Sequence, residues 1–151
     1  MKVPRDSGRK LLISLSNHQT YYGGVSKGRA EDEECIFIFS DGAYYQGQCS
    51  KGKFEGKGSL HKYGEDFQEQ LFSYEGDWHL SKPHGEGKET ILNSMTYQGQ
   101  FREGKKHGQG VMTYIDGSTY RGSFSNNEIE GKGSYKTKAH EWDGTWREGY
   151  L

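Results

Sequence analysis

The chain has 151 residues with a net charge of −1, and 23 of them are glycine. Leu, Ile, Val and Phe number only 24 of 151, while aromatics reach 14%. That length fits one ordinary domain, and disordered chains are poor in aromatics, so a folded chain with a thin, ring-rich interior is expected. The near-neutral charge excludes a phosphate-neutralising nucleic-acid surface.

No apolar run approaches the ~18 residues that span a bilayer. The start, MKVPRDSGRKLLISLS, has a five-residue apolar stretch broken by Ser14 and no small-residue cleavage site, so no secretory signal is expected. Cys35 and Cys49 are the two cysteines and give no disulfide framework. One disulfide between them is open to the chain, but reduced thiols in a cytoplasmic setting are the expectation.

Residues 1–20 are read as an N-terminal segment, in which KLLISLSN (10–17) supplies a strand capping the first repeat. Residues 21–151 are read as a repeat array. Tyr45-x-Gly47-x-Cys49 opens one copy, followed by Gly52 and the pair Gly56-x-Gly58. Tyr74-x-Gly76-x-Trp78 opens the next, with Ser81 and Gly85-x-Gly87. Tyr97-x-Gly99-x-Phe101 follows, with Gly104 and Gly108-x-Gly110, then Tyr120-x-Gly122-x-Phe124, with Asn127 and Gly131-x-Gly133. A degenerate copy starts at Tyr21 and a truncated one, Trp142-x-Gly144-x-Trp146, at 142. Successive starts are 24, 29, 23, 23 and 22 residues apart, and in four consecutive copies the first glycine precedes the G-x-G by nine residues.

These residues resemble the MORN repeat, from "membrane occupation and recognition nexus". FSNNEIEGKGSY and HEWDGTW look most like the short MORN proteins of animal sperm and motile cilia. The resemblance implies a non-enzymatic scaffold without cofactors, docking protein partners in a ciliary, flagellar or other cytoskeletal assembly.

The residues support an all-β fold independently. Tyr97, Gly99 and Phe101 alternate and so share one strand face. A glycine between two rings leaves a gap for a ring from the neighbouring strand. The second strand is expected to start at the G-x-G, with Arg102–His107 as a polar turn and Asp116-Gly117 as the turn between repeats. Each copy is then one β-hairpin, and stacked hairpins form an elongated, twisted antiparallel sheet of roughly 50–60 Å at ~4.8 Å per strand. Two departures stand out. Six extra residues in KYGEDFQEQLF (62–72) predict a longer loop carrying Phe67, Leu71 and Phe72, and the acidic run Glu31–Glu34 stands where the first copy's G-x-G belongs.

Chemical motifs are weak. Gly99-Gln-Phe-Arg-Glu-Gly104-Lys105-Lys106 lacks the final Ser or Thr of a phosphate loop, and Gly47–Lys53 repeats the same near-miss with Phe54. A repeat consensus generates such coincidences, and no helix follows to aim amides at phosphate. His84 and His107 occupy equivalent positions about one repeat rise, roughly 10 Å, apart, too far for one metal ion. Cys49 stands where other copies carry a ring, so it is a core residue rather than a nucleophile.

Two binding surfaces follow. Trp142, Trp146, Tyr150 and Leu151 form an aromatic edge expected to add a strand from a protein partner or a second copy. Alternatively Lys51, Lys53, Lys57, Arg102, Lys105 and Lys106, near the hairpin turns, contact anionic lipid at ~1 kcal/mol per basic residue.

Overall fold

A computed structural model describes residues 10–15, 18–65 and 68–149. Its strands are β1 (Leu11–Ser14), β2 (Thr20–Gly23), β3 (Val25–Ser26), β4 (Arg29–Ala30), β5 (Asp32–Ile38), β6 (Tyr44–Ser50), β7 (Lys53–Tyr63), β8 (Gln70–His79), β9 (Lys82–Ile91), β10 (Met95–Arg102), β11 (Lys105–Tyr114), β12 (Thr119–Ser125), β13 (Glu128–Lys136) and β14 (Glu141–Trp146). Twelve of them form one antiparallel sheet in chain order, with β3 and β4 set aside as a small separate hairpin. β1 and β14 are its two edges, so the sheet is open. β1 pairs with β2 at one edge of the sheet.

The core is a zigzag of rings on one face. Tyr45, Tyr74, Tyr97 and Tyr120 are fully buried, each at 0% exposure. Tyr97 meets Phe101 of its own repeat at 5.1 Å and Phe124 of the next at 4.8 Å, both edge-on. Tyr74 meets Trp78 and Phe101 in the same way, each at 5.0 Å, and Tyr120 meets Phe124 and Trp146. Edge-to-face pairs of this kind contribute about 0.5–1.5 kcal/mol beyond area burial. Cys49 breaks the series, and Phe54 stacks flat on Tyr45 at 3.8 Å in its place.

Every ladder tyrosine is also anchored to its own strand. Its hydroxyl donates to the carbonyl three residues on: Tyr45 to Gln48, Tyr74 to Asp77, Tyr97 to Gln100 and Tyr120 to Ser123, at 2.6–3.3 Å. The ring therefore lies along its strand over the glycine at i+2. The expectation that a neighbouring strand's ring fills that gap is corrected: the tyrosine's own ring covers it and reaches over the facing glycine. A methyl group on Gly87 would come within 2.4–2.7 Å of the Tyr74 ring, and one on Gly110 within 2.5–2.6 Å of Tyr97.

The pair G-x-G thus does two jobs. Its second glycine faces the next rail glycine, and the partners Gly47, Gly58, Gly76, Gly87, Gly99, Gly110, Gly122, Gly133 and Gly144 run strand to strand across the sheet. Its first glycine sits in a β-bulge: Gly108 has φ 66° where the register slips between Gly99 and Phe101. The side chain opposite caps that bulge, Gln100 Oε1 accepting from the Gln109 amide at 2.9 Å. Asp77 does the same for Glu86 and Gln48 for Lys57. The return strand accordingly starts three residues before the G-x-G, at Lys105, rather than at it.

The extra residues 62–72 also read differently in three dimensions. They extend β7 to Tyr63 and begin β8 at Gln70, so the connection covers only 64–69. Phe72 packs against the core, Leu71 is exposed, and Phe67 lies outside the described residues.

Candidate partner-binding surface

Residues that alternate with the ladder point to the opposite face. There the glycine rail becomes the floor of a shallow groove. Its broadest part, about 800 Å³, runs over Gly47, Gly58, Gly76 and Gly87 between Gln46, Ser59, Glu75, Lys88 and Gln98 on one side and Lys57 and Glu86 on the other. It continues over Gly99 and Gly110, flanked by Gln100, Gln109 and Arg121, and again over Gly133 and Gly144, beside Lys132 and Asp143.

The groove is polar and charge-balanced. Glu75 faces Lys88 across β8 and β9, and Lys57 pairs with Asp77 at 2.5 Å. Asp77 is partly buried, which raises its pKa, but Lys57 and the Glu86 amide outweigh burial and hold the carboxyl below its ordinary value. Glutamines at 46, 98, 100 and 109 add neutral donors and acceptors. A Cβ on a rail glycine would point to the tyrosine face, so the channel's floor is strand backbone and its walls are the polar side chains that alternate with the ladder. Sequence reading assigned the glycines to packing, turns and strand starts; their pairing from β6 to β14 was the missed signal.

The hairpin turns line one long side of the sheet. Their central residues both have positive φ: Lys51 and Gly52, Leu80 and Ser81, Glu103 and Gly104, Asn126 and Asn127. Each second turn residue donates its amide to the preceding repeat, Ser81 to Phe54, Gly104 to Pro83 and Asn127 to Lys106. Lys51, Lys53, Arg102 and Lys105 are exposed along this side. Lys106 is not. It lies in β11 at 7% exposure, its ammonium paired with Glu89 and 5.5 Å from the Tyr97 ring centre. Lys57 lies on the groove face. Two of the six residues expected to meet lipid, Lys57 and Lys106, are therefore not exposed along the turn side.

Glu103 and Glu55 interleave with the turn cations. The Leu80 amide and then His79 hold the Glu55 carboxyl below its ordinary pKa, and Lys82 does so for Glu103. His84 packs near His79, with ring centres 5.6 Å apart, a neighbour that repeat equivalence did not reveal. No group of three or more His, Cys, Asp or Glu among the described residues is arranged to hold a metal ion.

The acidic run is a set of staples. Glu31 accepts from the Lys51 amide and the Ser50 hydroxyl, Asp32 from the Gly24 and Glu34 amides, Glu33 from Gln48, and Glu34 pairs with Lys10. At the C-terminal edge, Trp146 is buried against Tyr120, whereas Trp142 is 41% exposed. Tyr150 and Leu151 lie outside the described residues.

Comparison with family models matches the MORN repeat at residues 45–63, 74–93, 97–119 and 120–138, more than half of the chain. The copies starting at 21 and 142 fall outside the matched residues. Comparison with curated proteins gives no match.

Proposed function

The chain belongs to the MORN-repeat family, and from that premise we propose that it is a non-enzymatic, cytoplasmic scaffold that docks a protein partner along the glycine-floored groove. The observation that carries this reading is the groove itself: several strands contribute exposed backbone and alternating charges to one continuous channel. Such a surface suits an extended polypeptide, which offers amides and mixed side chains, better than a polyanion. The resemblance to short MORN proteins of sperm and motile cilia supports a ciliary, flagellar or cytoskeletal setting. Exposed Trp142 extends the candidate surface to the β14 edge, where a strand of a partner or a second copy can add.

Charge reversal tests it. Glu75→Lys with Glu86→Lys alters the groove, and Lys51→Glu with Lys105→Glu alters the turns. In affinity capture from ciliated cells, the groove variant is expected to lose its partner proteins and the turn variant to keep them. The opposite pattern, with pelleting of the unaltered protein on phosphoinositide vesicles at low salt, would instead establish a lipid surface.

A further inference from the structure

The first two repeats depart from the others at positions on adjacent strands. Facing Gly47 is Cys35, where the later return strands present Gly58, Gly87, Gly110 and Gly133 to the rail. Two residues after Gly47 comes Cys49, where the other repeats carry Trp78, Phe101 and Phe124. Both are free thiols on the core face, at 0% and 4% exposure. They are diagonal neighbours on adjacent strands, beside a bulge in β5. Diagonal cross-strand neighbours lie about 7–8 Å apart at Cα, so closing to the ~2.05 Å of a disulfide draws β5 and β6 together at the bulge.

Although its place in the repeat predicts Cys49 to be a core residue only, we propose that Cys35 and Cys49 form a redox pair that closes to a disulfide under hydrogen peroxide, with Cys49 attacking and Cys35 resolving. The proposal is independent of the groove reading. Cys49 borders a surface cleft of about 550 Å³ lined by Glu31, Asp32, Glu33 and Glu55, and Cys35 does not. Those carboxylates repel anionic oxidants such as glutathione disulfide but admit a small neutral peroxide.

The surroundings also divide the roles. In the resting pair the Cys35 thiol donates to the Gly47 carbonyl at 3.0 Å, and the Tyr21 hydroxyl donates to that of Gly24 at 2.5 Å. Both protons can swing to Cys49 Sγ, which lies 3.8 Å from the Tyr21 oxygen. The Cys35 thiol chiefly, with Tyr21 and the Asp32 amide, lowers the Cys49 pKa against the opposing effects of burial and the Asp32 charge. Cys35 is pushed up by its bond to Cys49 and by burial. A thiol of lowered pKa at the border of a cleft, with a second thiol on the adjacent strand, is the one expected to react first with peroxide.

The steps balance. Cys49 thiolate attacks one peroxide oxygen, the O–O bond breaks, and the departing hydroxide takes up the released proton as water, leaving Cys49 Sγ–OH. Cys35 sulfur then attacks Cys49 Sγ, the S–O bond breaks, and hydroxide leaves with the Cys35 proton as a second water. Two thiols are oxidised by two electrons and one peroxide is reduced. The product ties β5 to β6 where the core lacks its bridging ring.

Both cysteines fall in the single tryptic peptide Ala30–Lys51, so mass spectrometry reads the outcome directly. The native protein is treated with hydrogen peroxide, blocked with N-ethylmaleimide and digested. The peptide is expected to be two hydrogens lighter, unalkylated, and restored by dithiothreitol, and the intact protein's Tm to rise. Cys35→Ser is expected to leave a sulfenic acid on Cys49 that dimedone labels, and Cys49→Ser to give no label. A lasting dimedone adduct or higher acids on unaltered protein, a link between two chains, or no oxidation where the free peptide oxidises would each overturn the proposal. The unaltered-protein measurement decides even if a variant fails to fold.

Discussion

At Gly110 a methyl group would sit 2.5 Å from the Tyr97 ring, while at Gly117 nothing lies within 4 Å. Gly117 has φ 82°, so its replacement strains only a turn. Gly110→Ala is therefore expected to cost about 3 kcal/mol through overpacking, and Gly117→Ala about 1–2 kcal/mol through backbone strain. Urea titrations distinguish them; equal losses would mean that the ring yields freely. The ladder tyrosines carry a pH prediction. Burial raises the hydroxyl pKa of Tyr45, Tyr74, Tyr97 and Tyr120 in the folded chain. Raised folded values mean that the unfolded chain loses these protons first. Their contribution is intact below about pH 10, the ordinary tyrosine value, and is lost as pH rises beyond it. The urea midpoint is expected to fall above pH 10, with the ladder tyrosines' share of the phenolate absorbance appearing only on unfolding. Lys106 shows what residue spacing hides. It looked like a turn cation because the return strand seemed to start at the G-x-G, but the bulge at Gly108 places it inside a strand beside Glu89. Removing either partner strands the other's charge, so Glu89→Gln and Lys106→Met are each expected to cost about 3 kcal/mol and the double replacement to be far milder. A double variant with a urea midpoint no higher than the single ones would contradict the buried pairing.

The hairpin is the element at which sequence and structure agree best. Alternating aromatics, nine-residue glycine spacing and polar connections sufficed for the strands, because each signal is local to one copy. The bulge was not legible, since a slip of register depends on two strands at once, and neither was the cap from Gln100 to Gln109, which spans nine positions. The turns are two-residue loops with both residues at positive φ, and most copies supply Gly or Asn. β8 and β9 are joined by Leu80 and Ser81 instead, at φ 49° and 64°. Leu80 is 58% exposed and uses only its amide, which donates to Glu55. Leu80→Asn keeps that bond and suits the backbone, so it is expected to stabilise by about 0.5–1 kcal/mol. A lowered thermal midpoint would show that Leu80 contributes packing its exposure does not suggest.

Across the whole molecule, one repeated constraint accounts for both faces. Each tyrosine needs bare glycine beneath it on its own strand and on the next, so glycines align from β6 to β14. One face closes over the rings, and the other is left as a channel whose floor is backbone. The sequence made the first face legible because aromatic residues announce themselves. The channel is walled by polar residues that alternate with the ladder, and it appears only when strands are set side by side. The central claim is that this channel holds the partner. A photo-crosslinking amino acid at Glu86, in the groove, and at Lys105, on the turn side, tests it most directly in intact ciliated cells. The account predicts a discrete protein adduct from position 86 and none from 105. Adducts from 105 alone, or lipid adducts in place of protein, would contradict it.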